Sequence, residues 1–443
     1  MTQLVTLALL GTTALFALLS HVYVPLFDVT YSTAANVVSG AQERVTDSKH
    51  SAPSTNSDDR PTVAHVPLPS PLKAIYMTAC VAGTPSFRER LVTLIEETEI
   101  NAVMIDIKDY SGGISFPPTN PAWQPAWQHA LCGAPDMRAF IASLHERGIF
   151  VIGRITVFQD PFWARERPHL AVKRADGETV WRDHKGLSFI DVAAKEYWSH
   201  IVALAVEAYN LGFDELNFDY VRYPSDGNMQ DIAFLHTQGS AWPTDKPANL
   251  EAFFAYLHEQ LSDETNFAAY RHEHTGRASS TPWTSADLFG MTTTNTDDLS
   301  IGQVIERAVP YFDFIAPMVY PSHYPSNYLG LGNPNDHPYT IVKHAMTSGV
   351  DRIRATTTVV AGFTHERIGT TTPPMYRKPS YGPDRLRTWI QDFDYGGDYD
   401  AADVRTQIQA SYDAGVRDWM IWAPSNLYTR AALRGPEDEL VAR

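Results

Sequence analysis

The chain has 443 residues, 44% of them hydrophobic and 19% charged, with a formal net charge of −16 at pH 7. This composition can bury a large core and excludes a disordered or fibrous protein. The acidic balance, with no basic run anywhere, excludes a nucleic-acid partner, because phosphate binding needs clustered Lys and Arg.

Residues 1–27 contain no Asp, Glu, Lys or Arg, and Leu4 to Phe27 is mostly apolar. At about 1.5 Å rise per residue this stretch can cross a bilayer of about 30 Å, so it reads as an export signal. It is expected to remain as a membrane anchor, because "SHVYVP" offers no small-x-small cleavage site; a cleaved signal peptide is the alternative. Residues 28–71 are rich in Ser, Thr, Asn, Asp and Pro and are predicted to form a disordered polar linker. The globular domain is expected over 72–430, with a C-terminal tail at 431–443.

From residue 72, short apolar runs alternate with amphipathic stretches. Strands are predicted at 73–79, 102–109, 150–158, 215–223, 285–291, 314–320, 357–363 and 419–424. Helices are predicted at 86–99, 135–148, 196–212, 249–261, 301–312, 338–349 and 401–415, with Gly148, Gly212, Gly349 and Gly415 at cap positions. Strands apolar on both faces and separated by helices imply a parallel sheet covered by helices. Eight such units fit an α/β chain folded as a closed (β/α)8 TIM barrel better than a doubly wound sheet. The open sheet predicts a phosphate-binding glycine loop after the first strand, where "TACVAGTPSF" has neither GxGxxG nor a P-loop lysine. No cofactor is expected.

In such a barrel the active site lies at the C-terminal ends of the strands. Polar residues stand there on six predicted strands: Asp106, Lys108 and Asp109; Arg154; Asp219 and Arg222; Asp287; Tyr320 with His323; and Trp422 with Asn426. Such convergence on one end is hard to explain by core packing. Tyr220, Tyr223, Tyr320, Tyr324, Trp389 and Trp422 fall in the same region, and flat rings beside carboxylates suit sugars. Other chemistries lack their motifs. None of the 16 histidines is four residues from another, so no helical zinc pair and no metal is expected, and no GxSxG elbow occurs. Cys80 and Cys132 could form one bridge or remain core thiols.

Carboxylate chemistry remains. Glycoside hydrolysis needs one acid kept protonated and another ionised, roughly 5 to 9.5 Å apart, a separation that neighbouring strands can supply. In "GFDELNFDYVRYPSDG" (212–227), Asp219 ends a buried strand and Arg222 follows three residues later. Arg222 is expected to hold Asp219 ionised, which requires the chain to turn near Tyr223 and Pro224; a purely structural ion pair is the alternative.

Through "DIKDYSG" (106–112), "FDYVRYP" (218–224), "SADLFG" (285–290), "APMVYPSHY" (316–324) and "WIQDF" (389–393), the chain resembles the DUF4015 family of barrel glycoside hydrolases over roughly residues 72–430. The resemblance implies that Asp219 is the nucleophile or charge stabiliser and Asp287 the acid, with Asp106 and Asp109 as rivals for the second role. Asp106, Lys108, Asp109, Arg154, Arg222, Tyr320, His323, Gln391, Asp392 and Trp422 are then the expected substrate contacts. The expected function is hydrolysis of a cell-envelope or extracellular polysaccharide by an exported enzyme, tethered to the membrane through residues 4–27 or secreted. A non-catalytic carbohydrate-binding barrel and an anchored scaffold with structural acids are the alternatives.

Overall fold

The computed structural model of the protein describes residues 60–239, 245–274 and 280–435. Eight parallel strands follow one another around a closed barrel. They are β1 (Lys73–Met77), β2 (Ala102–Lys108), β3 (Phe150–Thr156), β4 (Glu215–Asp219), β5 (Trp283–Phe289), β6 (Phe314–Met318), β7 (Arg387–Gln391) and β8 (Asp418–Trp422). Pairing of β8 with β1, through Ile421 and Ile75, closes the ring. Strand side chains alternate between two faces. On β1, Ile75 and Met77 pack outward under the helices, whereas Ala74 and Tyr76 join Met104, Ile152 and Met420 in the barrel interior.

The helices between the strands include α1 (Pro85–Glu96), α2 (Met137–His145), α3 (Lys195–Leu211), α4 (Lys246–Ser262), α5 (Ile305–Ala308), α6 (Pro338–Arg354) and α7 (Ala401–Asp413). Local chemistry starts and stops them. Asp245 accepts from the Ala248 N–H to open α4, Asp400 and Asp403 form a capping box on α7, and Gly212 ends α3 at φ 129°.

Three expectations are corrected here. The run at 357–363 is not a barrel strand: only Thr357–Thr358 is extended, pairing with Met375–Arg377 in a small antiparallel sheet. The seventh barrel strand is β7, which carries the "WIQDF" motif. The helix expected at 301–312 shrinks to one turn, α5, ahead of Pro310. Gly349 is not a cap but lies inside α6, where an added Cβ would stand 3.2 Å from Thr293.

The segment before the barrel folds as well. Thr62–His65 pairs in parallel with Arg271–His274, so residues 60–71 pack on the barrel although their composition reads as linker. Asp214 fixes this segment, accepting from the Val66 N–H at 3.1 Å and bonding to His65 Nδ1 at 3.2 Å and His145 Nε2 at 3.0 Å. Deeper in the barrel, Arg387 donates to both oxygens of Glu215 at 2.6 and 2.7 Å. A Cys80–Cys132 disulfide joins the short helix Ala79–Ala82 after β1 to the segment before α2. The expected anchor at 1–27 lies outside the described residues. Among the described residues no helix is long and apolar enough to cross a membrane.

Candidate active site

Register brings the polar strand ends together. Asp106 on β2 stands opposite Arg154 on β3, and Thr156 on β3 stands opposite Asp219 at the end of β4. The Arg154 guanidinium lies between the two acids. Its Nη1 donates to Asp106 Oδ1 at 2.7 Å, while Nε and Nη2 donate to Asp219 Oδ2 at 3.0 and 2.5 Å. The other Asp106 oxygen accepts from the Tyr76 hydroxyl at 2.5 Å. Burial pushes the Asp106 carboxyl above its ordinary range, against the pull of Arg154. Trp422 stacks on Tyr76 with ring centroids 4.0 Å apart, and the Arg154 guanidinium lies 5.1 Å from the Trp422 ring. The cation is thus packed as well as paired.

Asp287 lies on β5, whose Ala286 is in register with Phe218 of β4, so it neighbours Asp219 across the strand pair. Its Oδ1 accepts from the Trp389 indole N–H at 2.8 Å and from Asn217 Nδ2 at 3.0 Å. The residue is 1% exposed. Burial first, and then the negative charge of Asp219, push its carboxyl from 3.8 to about 8, outweighing both hydrogen bonds and Arg154. Two neighbouring carboxyls thus have opposite partners, one paired to a guanidinium and one pushed towards its neutral form, an arrangement suited to acid–base chemistry.

These acids open into a cavity of about 510 Å³ that Trp422, Tyr320, Phe393, Met318, His323 and Arg222 also line. Burial and the charges of Asp287 and Asp219 hold the Tyr320 phenol well above its usual range. His323 packs edge-on against Tyr320 with centroids 5.3 Å apart, and burial lowers its imidazole.

The structure gathers some of the expected contacts at this cavity and places others elsewhere. Arg222 lines it without pairing to Asp219, whose cation is Arg154. After β4 the backbone turns through Tyr220 at φ 51°, and Arg222 instead donates to the Tyr223 carbonyl at 3.1 Å and Ser225 Oγ at 3.3 Å. Lys108 does not line the cavity. The β2–β3 register shifts between Asp106 and Lys108, so Lys108 aligns with outward-facing Ile155 and its ammonium pairs with buried Asp160 at 3.0 Å. Asp109 is spent on a turn, its Oδ1 accepting from the Ser111 N–H and hydroxyl at 2.9 and 2.6 Å. Gln391 and Asp392 support the rim: Gln391 donates to the Phe393 carbonyl at 2.9 Å, and Asp392 accepts from the Thr429 N–H and hydroxyl at 2.8 and 2.7 Å. Asn426 likewise ties the β8 end to Thr78 at 2.9 Å. Among the described residues no group of His, Cys, Asp and Glu is placed to hold a metal ion.

A (β/α)8 barrel with neighbouring carboxyls among aromatic rings at its mouth is an architecture compatible with a carbohydrate-acting enzyme. The model of the DUF4015 family, described as "Putative glycosyl hydrolase domain", matches residues 74–428, and the chain belongs to that family. By that membership it is a glycosidase. The PgaB (BpsB) glycoside hydrolase domain from Bordetella bronchiseptica shares the fold, with a TM-score of 0.55 at 14% identity over 82% of this chain and 99% of that one. A hypothetical protein from Ruminiclostridium thermocellum ATCC 27405 is 30% identical over 45% of this chain and 96% of its own, with a TM-score of 0.37. The α-galactosidase TtGalA from Thermus thermophilus is 12% identical over 87% of this chain and 61% of its own, with a TM-score of 0.45. No protein of curated function matches the chain.

Proposed function

We propose that the protein is an exported glycoside hydrolase that cleaves a cell-envelope or extracellular polysaccharide, with Asp287 as general acid and Asp219 as nucleophile or charge stabiliser. The observation that carries this reading is Asp287, a cavity-lining carboxyl held at about 8 beside an acid paired to Arg154. At neutral pH Asp287 keeps its proton. Its transfer to the glycosidic oxygen lets the C–O bond break, while Asp219 meets the positive charge developing at the anomeric carbon. Water then adds to that carbon and gives its proton to the Asp287 carboxylate, which restores the acid. Asp106 suits the acid role less, since Arg154 and Tyr76 engage both its oxygens and it does not line the cavity. Export is supported by the Cys80–Cys132 disulfide, a bond that persists in oxidising compartments, together with the uncharged 1–27 stretch.

Turnover of envelope and extracellular glycans by Asp219→Asn and Asp287→Asn tests the assignment. Asp219→Asn should be inactive on every substrate. Asp287→Asn should retain activity on nitrophenyl glycosides, whose leaving groups need little protonation, and should lose the alkaline limb near pH 8. Wild-type turnover by Asp219→Asn would refute the reading. Glycan binding by the wild type without product would favour a non-catalytic carbohydrate-binding barrel. Cell fractionation tests the location: full-length chain in the membrane fraction is expected of an anchor, and soluble protein lacking residues 1–27 of a cleaved signal.

A further inference from the structure

The aromatic lining of the cavity continues past its rim. Tyr320 is 5% exposed beside the acids, and its ring centroid lies 5.8 Å from Phe393 and 5.3 Å from His323. His323 in turn lies 6.2 Å from the ring of Tyr395, which is 64% exposed and outside the cavity proper. The series therefore runs from buried to open, starting at the proposed point of cleavage.

Single exposed aromatics are ordinary, so the fixing of this one carries the argument. The loop after β7 is clamped on both sides of Tyr395. Before it, the Phe393 carbonyl accepts from Gln391 at 2.9 Å, and Phe393 itself packs on Tyr320. After it, Asn333 donates to the Gly396 carbonyl at 3.0 Å, and Asp394 accepts from the Tyr399 N–H at 2.8 Å. Gly396 has φ 73°, and a Cβ on Gly396 or Gly397 would stand 2.9 or 2.8 Å from Asn335. The positive φ favours glycine at Gly396, and the approach to Asn335 Cβ disfavours a side chain at Gly397. A large ring is thus held in water by a loop with little freedom to withdraw it, beside His323 at the edge of the cavity. Tyr110, on the loop after β2, is 55% exposed and has no ring partner among the described residues.

We propose that Tyr395, continuing from His323, forms an outer sugar-binding subsite on the β6–β7 side of the mouth, so that the substrate is a chain extending at least one sugar unit beyond those in the cavity. This rests on the glycosidase reading and adds to it that recognition reaches past the reacting linkage. The inner rings bind the units at the acids, and the Tyr395 face stacks on the next unit as it leaves the cavity.

The test measures binding of Asp287→Asn protein, alone and with Tyr395→Ala, Tyr395→Phe or Tyr110→Ala, to immobilised oligosaccharides of one to six units from envelope and extracellular glycans. Turnover of nitrophenyl monosaccharides by the same tyrosine variants in the otherwise wild-type protein runs alongside. Affinity should rise with chain length, and Tyr395→Ala should remove about three- to tenfold of that rise while monosaccharide turnover stays unchanged. Tyr395→Phe and Tyr110→Ala should behave as the parent. Glycan binding with the same length dependence in Tyr395→Ala overturns the outer subsite and leaves the glycosidase reading standing. Equal losses at every length also overturn it, by making Tyr395 part of the mouth's structure. Absence of both binding and turnover across the panel overturns the glycosidase reading and the subsite with it.

Discussion

The Trp389 indole N–H bonds to Asp287 Oδ1 at 2.8 Å, drawing that carboxyl down against burial and the charge of Asp219. Trp389→Phe keeps a ring and removes the donor, so the alkaline limb of the pH–rate profile should move above about 8. A limb that stays in place would detach Asp287 from the acid role. Arg222 is held near the cavity by the Tyr223 carbonyl, Ser225 Oγ and the Tyr220 ring, 4.8 Å from its guanidinium. Arg222→Ala should therefore lower kcat/KM by roughly ten- to hundredfold, as expected for loss of a charged hydrogen bond, and leave Tm within about 1 °C. A fall of many degrees would make Arg222 a structural residue. Asn217, bonded to Asp287, escapes a reading that looks only at strand ends, whereas Trp389, expected in the region as an aromatic ring, bonds the same carboxyl through its indole N–H. A period of two was the available signal: Glu215, Asn217 and Asp219 face the interior between outward Leu216 and Phe218.

The same alternation explains which elements were legible. Seven barrel strands read as apolar runs because their outward faces lie under helices. β7 did not, because its Arg387 and Gln391 are fully buried polar residues, the first paired with Glu215. The β-branched run at 357–363 looked more like a strand. Lys108 was misplaced because period two carries it inward from Asp106, and a register shift is not written in composition. The shift also gives Lys108 a measurable structural role. Asp160 accepts from Lys108 and from the Tyr197 hydroxyl at 2.6 Å, and caps the short helix Pro161–Glu166 through the Trp163 N–H at 2.8 Å. Lys108→Met would leave that carboxylate buried without its cation, at a cost of about 3–5 kcal/mol. Denaturant titration should show this loss, with KM unchanged in the folded fraction. A raised KM at full stability would return Lys108 to the substrate.

Across the whole molecule, the two ends of the barrel respond to pH with opposite sign. At the mouth, the Asp287 carboxyl sits at about 8 in the folded protein, above its unfolded value. The folded state then holds a proton that the unfolded chain has released, so this group's contribution to stability declines as pH rises from about 4 to about 8. At the other end, burial lowers the His65 imidazole, opposed by the hydrogen bond to Asp214 and with His145 adding repulsion. Burial alone would raise Asp214, but hydrogen bonds from His145 and His65 outweigh it and leave it lowered. His272 Nδ1, 3.1 Å from His65 Nε2, completes the cluster. Below about pH 6.5 the unfolded chain takes up a proton at His65 that the folded state resists, and stability is lost on acidification; the Asp214 contribution goes only at lower pH, through its depressed value. The two ends offset each other just below about pH 6.5, and single variants should expose each. Relative to wild type, His65→Gln should gain up to about 1.4 kcal/mol per pH unit as pH falls below about 6.5, and Asp287→Asn should gain by the same slope as pH rises towards 8. Urea unfolding of both variants from pH 5 to 8.5 measures these slopes, and comparison of slopes removes any constant cost of substitution. Parallel curves for His65→Gln and wild type would show that the His65–Asp214 contact is proton-neutral on folding, and parallel curves for Asp287→Asn would remove the protonated acid on which the proposed chemistry depends.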